Sequence, residues 1–292
     1  MALSVIVYQY GKVASTSLVA TLNRMRGVQA HQCHFFGKDA FLSTVSRLCN
    51  PHTNDYFFKH SLGQLNENLR VYRQYHHKHR DAEERFIVVT VAREPFDWFK
   101  SSVLQEIEGH LANFRLALEA EQSRQMGDRE LVTSGLALVF SRIHQALDTV
   151  GGDINGLTVA RRRDLNQHIP FADADDFEAF LFILSRYLQP HVWFQTQFTP
   201  EFGVVPTEME TVAGGLRRSD TEKGPVYLIQ YERMEEAFAA LCALEGLPSK
   251  SLSRANTGAD KHYASEVSAA FASAEALRLK ERTVSDISRL FE

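Results

Sequence analysis

Near the start of the chain, Gly11-Lys12-Val13-Ala14-Ser15-Thr16-Ser17 sets one lysine and three hydroxyls between a β-branched run and a segment of helical spacing. Backbone N–H groups at a helix N-terminus, with hydroxyls and a cation beside them, form a cradle suited to phosphate. The spacing is not that of a Walker A loop, which would need Gly at position 6 and Ser or Thr at 13, where Ile6 and Val13 stand. ATP hydrolysis loses weight accordingly. The same residues also describe a hydroxyl-rich helix cap beside a solvated lysine. A second group follows the most β-prone stretch of the chain: Arg93-Glu94-Pro95, with Ser101 eight residues after Arg93. An arginine and a helix-borne serine can hold a second phosphate apart from the first loop, unless Arg93 pairs with a neighbouring acid instead.

These residues need elements to position them. Leu3 to Tyr10 is apolar on both alternating faces, as expected of a strand buried in a parallel sheet, and Thr16 to Leu22 has helical spacing. The alternation continues with a predicted strand at Val28 to Phe36, a helix at Asp39 to Leu48, a strand at Asp55 to His60 and a helix from about Leu65 to His77. The strand Phe86 to Ala92 and a helix from about Asp97 come next. Such alternation predicts an α/β fold with a central parallel sheet flanked by helices, and ligands of such sheets bind at the carboxyl ends of the strands. Lys12 and Arg93 both fall there. The segment of about 104–222 reads as a mainly helical insertion, Val226 to Glu232 as a last strand before a helix at Glu235 to Leu244, and Ser265 to Leu290 as one or two more helices. A single domain spanning 1–292 is expected.

With 44% hydrophobic and 23% charged residues, 8 Pro and 16 Gly, the 292-residue chain has the composition of an ordinary globular protein. Its net charge of -4 gives no general pull toward nucleic acid or an anionic membrane. The three cysteines, Cys33, Cys49 and Cys242, form neither a disulfide framework nor a zinc pair, which suits a reducing compartment. No apolar run reaches the length of a membrane span, and Ser4 to Tyr8 runs straight into polar residues without a basic leader or cleavage site. A cytoplasmic protein is expected. Three further features take an ordinary structural role at this stage. His76-His77-Lys78-His79-Arg80 reads as a solvated helix end, Arg161-Arg162-Arg163 and Arg217-Arg218 as solvated charge, and Trp193, Phe194 and Phe198 as core rather than a sugar-stacking platform.

The glycine-lysine-hydroxyl loop after the first strand resembles the 5'-phosphosulfate loop of sulfotransferases, and Arg93-Glu94-Pro95 with Ser101 resembles their 3'-phosphate motif. Gln230-Tyr231-Glu232-Arg233-Met234 is similar to the family's Tyr-Glu-Asp-Leu type segment. Asn256-Thr257-Gly258-Ala259-Asp260-Lys261-His262-Tyr263 resembles the late signature of the bacterial capsular polysaccharide synthesis proteins, with His262 in place of Trp and Ala264 in place of Ser. The matches cover about 10–100 and 225–265, leaving the helical middle without a counterpart.

The resemblance implies a P-loop-like sulfotransferase fold and transfer of a sulfuryl group from 3'-phosphoadenosine 5'-phosphosulfate (PAPS) to a hydroxyl or amine, with adenosine 3',5'-bisphosphate as the other product. No metal is required, and the acceptor expected is a small molecule or saccharide, such as a capsule precursor. It further implies that Lys12 stabilises the sulfuryl and bridging oxygens, that the amides and hydroxyls of Ala14, Ser15, Thr16 and Ser17 hold the 5'-phosphate, and that Arg93 and Ser101 hold the 3'-phosphate with help from Lys261. Tyr231 is placed at the adenine. A general base for the acceptor should be a histidine. Of the 12 histidines, His60, at the end of the strand preceding that of Arg93, is the first candidate and His34, ending the second strand, is the next. Two alternatives stand beside this reading: an ATP-dependent P-loop-type kinase or transferase, and a catalytically inactive nucleotide-binding scaffold in polysaccharide assembly.

Overall fold

The computed structural model describes residues 2–49, 55–77, 84–119, 126–160, 162–248, 250–252, 261–283 and 285–291. The chain divides into two compact units, Met1–Arg93 with Trp193–Ala255, and Glu94–Val192 with Asn256–Glu292.

The first unit is built on one mixed sheet. Among the described residues its strands are β1 (Ala2–Tyr8), β2 (Val28–Cys33), β3 (Glu84–Ala92), β4 (Glu210–Ala213), β5 (Leu216–Thr221) and β6 (Gly224–Gln230), in the order β2-β1-β3-β6-β5-β4. Strands β2, β1, β3 and β6 run parallel; β5 and β4 are antiparallel additions. The central strands are β-branched and buried on both faces: Val5, Ile6 and Val7 of β1, and Ile87, Val89 and Val91 of β3, have no exposed surface. That is the pattern expected where helices cover a parallel sheet. Helix α1 (Ser15–Leu22) connects β1 to β2 and packs on β2, as does the later of the two helices α2 (Lys38–Leu48) and α3 (Asp55–His76).

Two expectations change here. The sheet is mixed rather than wholly parallel, because Glu210 to Thr221, expected within the helical insertion of about 104–222, forms an edge hairpin. Gly214 (φ 46°) and Gly215 (φ 81°) make its two-residue turn, whose positive φ values match the twist of the paired strands. The strand expected at Asp55 to His60 is instead the opening of α3. Ser61, Leu65, Asn68, Val71 and Tyr75 are all buried at three- and four-residue spacing, so the buried face of the helix begins after this segment, in which Phe58 is exposed.

The second unit is helical. It contains α4 (Pro95–Glu119), α5 (Asp128–Thr149), α6 (Ile154–Val159), α7 (Arg162–His168), most of α8 (Ala174–Trp193), and, after the sheet-bearing segment that holds α9 (Thr199–Phe202) and α10 (Met234–Glu245), α11 (Ala264–Phe271) and α12 (Ala274–Arg282). Helix α5 is its axis: Leu136, Phe140, Ile143 and Leu147 have no exposed surface and share one core with Phe99, Ile107, Tyr187 and Phe271. Gly135 lets α4 approach, since a Cβ there would lie 2.3 Å from the Phe114 ring. Within this core Arg142 and Asp176 form a bidentate ion pair with both N···O distances at 2.7 Å. Among the described residues no helix is long and apolar enough to cross a membrane.

Candidate active site at the carboxyl ends of the parallel strands

The chain leaves β1 toward β2 on one side, then crosses back through α2 and α3 to β3 on the other. This is a topological switch point, where the loops after β1 and β3 diverge and leave a crevice. The four parallel strands end on one edge with Gln9 after β1, His34 after β2, Arg93 after β3 and Tyr231 after β6.

The loop after β1 is tightly wound. Gly11 (φ 92°), Lys12 (φ 57°) and Ala14 (φ 56°) all have positive φ, and Ala14 leads into α1 without a side-chain cap. The first intrahelical bond runs from the Leu18 N–H to the Ala14 carbonyl at 3.2 Å, so the amides of Ser15, Thr16 and Ser17 lie in the first turn, where helical N–H groups have no partner within the helix. Ser15 and Ser17 are buried and Thr16 is exposed. The Ser15 hydroxyl accepts from Gln32 Nε2 at 2.8 Å, which ties the loop to β2.

Arg93 comes to this loop. Its backbone N–H donates to the Tyr10 hydroxyl and its Nη1 to the Lys12 carbonyl, each at 3.1 Å, while the guanidinium lies 4.4 Å from the centre of the Tyr231 ring. Among the described residues Arg93 makes no ion pair with a carboxylate, and its Nε is buried without an acceptor. A buried cationic donor left unsatisfied is the kind of group an anion would complete. The loop residues Lys12, Ala14, Ser15, Thr16 and Ser17 therefore share one edge of the sheet with Arg93 and Tyr231.

His34 also stands at this edge, and a polar network that sequence reasoning missed holds it. Gln9 is fully buried; its Oε1 accepts from the Gly11 N–H, and its Nε2 lies 3.0 Å from His34 Nδ1. Asn68 of α3, also fully buried, accepts from the backbone N–H groups of His34 and Phe35 at 3.0 Å each and donates to the Gln32 carbonyl at 3.1 Å. One signal for Asn68 was available: it interrupts the buried face of α3 with a polar side chain. Burial pushes the neighbouring Cys33 thiol and Tyr8 hydroxyl well above their ordinary values, so both stay protonated, and Tyr8 donates to the Phe36 carbonyl at 3.2 Å. His60 does not share this placement. It lies inside α3 rather than at a strand end, so the strand-end argument selects His34 instead.

Ser101 and Lys261 belong to the second unit. Ser101 is half-buried in the second turn of α4. Lys261 lines an open concavity of about 510 Å³ with Arg129, His262, Tyr263 and Glu266; Asn256 to Asp260 lie outside the described residues.

The polar runs divide. Arg162 pairs with Glu178 and Arg218 with Asp220, while Arg161, Lys78, His79 and Arg80 lie outside the described residues. His76 departs from the solvated role: its Nε2 meets Glu201 Oε1 at 2.7 Å and its Nδ1 meets Lys223 Nζ at 2.8 Å. Trp193, Phe194 and Phe198 are buried, with Trp193 packed on Tyr8 and Tyr10. Among the described residues no three His, Cys, Asp or Glu side chains are grouped to hold a metal ion.

Comparison with family models, with curated proteins and with solved structures found no match to this chain.

Proposed function

We propose that the protein is a sulfotransferase that uses PAPS and has a P-loop-like sulfotransferase fold. The observation that supports this reading is the meeting, at one switch point, of the Lys12 loop with an arginine whose Nε lacks an acceptor and whose guanidinium lies over a tyrosine. A hydroxyl-bearing helix start suits one phosphate, Arg93 suits a second, and Tyr231 beside Arg93 offers a face for a purine. In the transfer, the S–O bond to the 5'-phosphate breaks with its electron pair left on the phosphate, a new bond forms to the acceptor oxygen or nitrogen, and the acceptor's proton is released. Like phosphoryl transfer, such a reaction depends mainly on positioning and charge stabilisation, which Lys12 supplies at the reacting oxygens.

Residues Ala14 to Ser17 hold the 5'-phosphate, Arg93 holds the 3'-phosphate, and His34 is the histidine of the site. The acceptor is a carbohydrate or capsule precursor and the setting is cytoplasmic. Adenosine 3',5'-bisphosphate without magnesium should raise the melting temperature of the full chain, because a ligand of the native state stabilises it. Labelled sulfuryl should then pass from PAPS to a member of a saccharide panel. A thermal shift with ATP and magnesium but none with the bisphosphate would overturn the reading in favour of a kinase. Bisphosphate binding with no transfer to any acceptor would favour a scaffold.

A further inference from the structure

Strands β1 and β3 pair in parallel with Val7 opposite Val89, so the loop after β1 and the residue after β3 leave the sheet side by side. Arg93 bridges them twice. Its backbone N–H donates to the Tyr10 hydroxyl, and its Nη1 donates to the Lys12 carbonyl at 3.1 Å, across 81 residues of chain. The second bond comes from the side chain, so a substitution can remove it alone.

That bond holds a single peptide. A trans peptide points its C=O and its N–H in opposite directions, so fixing the Lys12 carbonyl also fixes the Val13 N–H. Val13 has no exposed surface, and among the described residues its N–H has no acceptor. An orphaned buried N–H is rare. The amides of Ala14, Ser15, Thr16 and Ser17 likewise have no acceptor among the described residues. The four orphans expected of a helix start are thus extended by one, into an unbroken run of donors from Val13 to Ser17. Half a turn of the Lys12–Val13 peptide would break that run and set a carbonyl oxygen where the Val13 N–H now stands. Lys12 is left-handed (φ 57°), a conformation its own backbone disfavours, so the loop keeps its shape through contacts made from outside it.

We propose that Arg93 is a positioning residue for the first loop: its bond to the Lys12 carbonyl holds the Lys12–Val13 peptide in the orientation that keeps the run of donors unbroken, and so sets where Lys12 acts. The clause about the loop stands on these contacts alone. The clause about Lys12 rests on the transfer proposed above, and gives Arg93 a role at the sulfuryl end of PAPS that is separate from any contact with the 3'-phosphate.

Backbone ¹⁵N relaxation of the full chain without ligand tests the first clause. The order parameters of Val13 and Ala14 should be about 0.85 in the wild type and fall below about 0.6 in Arg93→Met, which has a long side chain but no donor. Arg93→Lys, whose ammonium can still donate to the Lys12 carbonyl, should restore most of the order. A wild-type loop already below about 0.6, or unchanged order in Arg93→Met, overturns the positioning role; if Arg93→Met does not fold, Arg93→Ala is read in its place. For the second clause, Arg93→Met should lower kcat at saturating PAPS by about 10²-fold, the scale of misplacing a reacting group by about 1 Å. A raised KM with unchanged kcat is the signature of a binding role only, and that result overturns the clause. Complete absence of transfer in the wild type removes the functional reading and leaves the loop result standing.

Discussion

Each unit carries a buried polar group of its own kind. In the sheet unit, neutral amides do the work: Gln9, Gln32 and Asn68 join the ends of β1 and β2 to α1 and α3 through one-directional bonds, all at the edge where the candidate site lies. In the helical unit one charged pair, Arg142 with Asp176, sits within an aliphatic and aromatic core, with Phe171 4.6 Å from the guanidinium carbon and the Ala172 N–H donating to Asp176. Amides fix orientation, because each end is either donor or acceptor. An ion pair of this kind is costly to break but constrains little beyond its own helices. Orientation matters in the first unit because chemistry is proposed there.

The contrast can be broken most sharply in the helical unit. Asp176→Ala leaves a buried guanidinium without its partner and should destabilise the chain by about 3–5 kcal/mol, read from denaturant unfolding, whereas a loss below about 1 kcal/mol would mean that the pair is hydrated. Next in size, Lys12→Ala should reduce sulfuryl transfer by about 10²- to 10³-fold in steady-state assays. Its effect on bisphosphate affinity should be much smaller, because the bisphosphate lacks the sulfuryl group; equal losses of binding and turnover would contradict the role given to Lys12. Arg93→Ala should weaken bisphosphate binding by about 1.5–3 kcal/mol by calorimetry. Unchanged affinity in the folded variant would remove the 3'-phosphate site.

A pH experiment separates the units by another route. His191, whose Nδ1 lies 2.8 Å from the Ser285 hydroxyl, is pushed down by burial to about 3 from an ordinary value of 6.5. Between these values the unfolded chain binds a proton that the folded chain does not, so stability is full above about pH 6.5 and falls as the medium is acidified toward pH 3. This one group should cost up to about 1.4 kcal/mol per pH unit in that window. His191→Gln should flatten the slope, and an unchanged acid slope would show that other groups dominate.

What the sequence revealed follows from how local each signal is. Strands β1, β3 and β6 were legible because runs such as Phe86 to Ala92 are buried on both faces and need no partner to be recognised. Strand β5, Leu-Arg-Arg-Ser-Asp-Thr, was not, because so polar a strand owes its conformation to β6 and β4, the strands paired on either side of it. The opening of α3 differs from the strand expected for a related reason: the buried helical spacing lies beyond these six residues, from Ser61 to Tyr75. In the site, Lys12, Arg93 and Tyr231 declare their chemistry by residue type and by following strands. Gln9 and Asn68 reach His34 across 25 and 34 residues, so nothing in its own neighbourhood marks His34 as the tethered histidine.

The two left-handed residues of the first loop, Lys12 and Ala14, give it a memory of shape. Each pays about 1–2 kcal/mol for a conformation that glycine would accept readily, and the native fold carries that strain before any ligand arrives. Glycine at position 14 should therefore raise thermal stability while giving the empty loop more shapes to lose on binding. Stability and bisphosphate affinity would then move in opposite directions. Alanine at position 14 thus keeps, in the backbone, part of the ordering that an anion would otherwise have to impose.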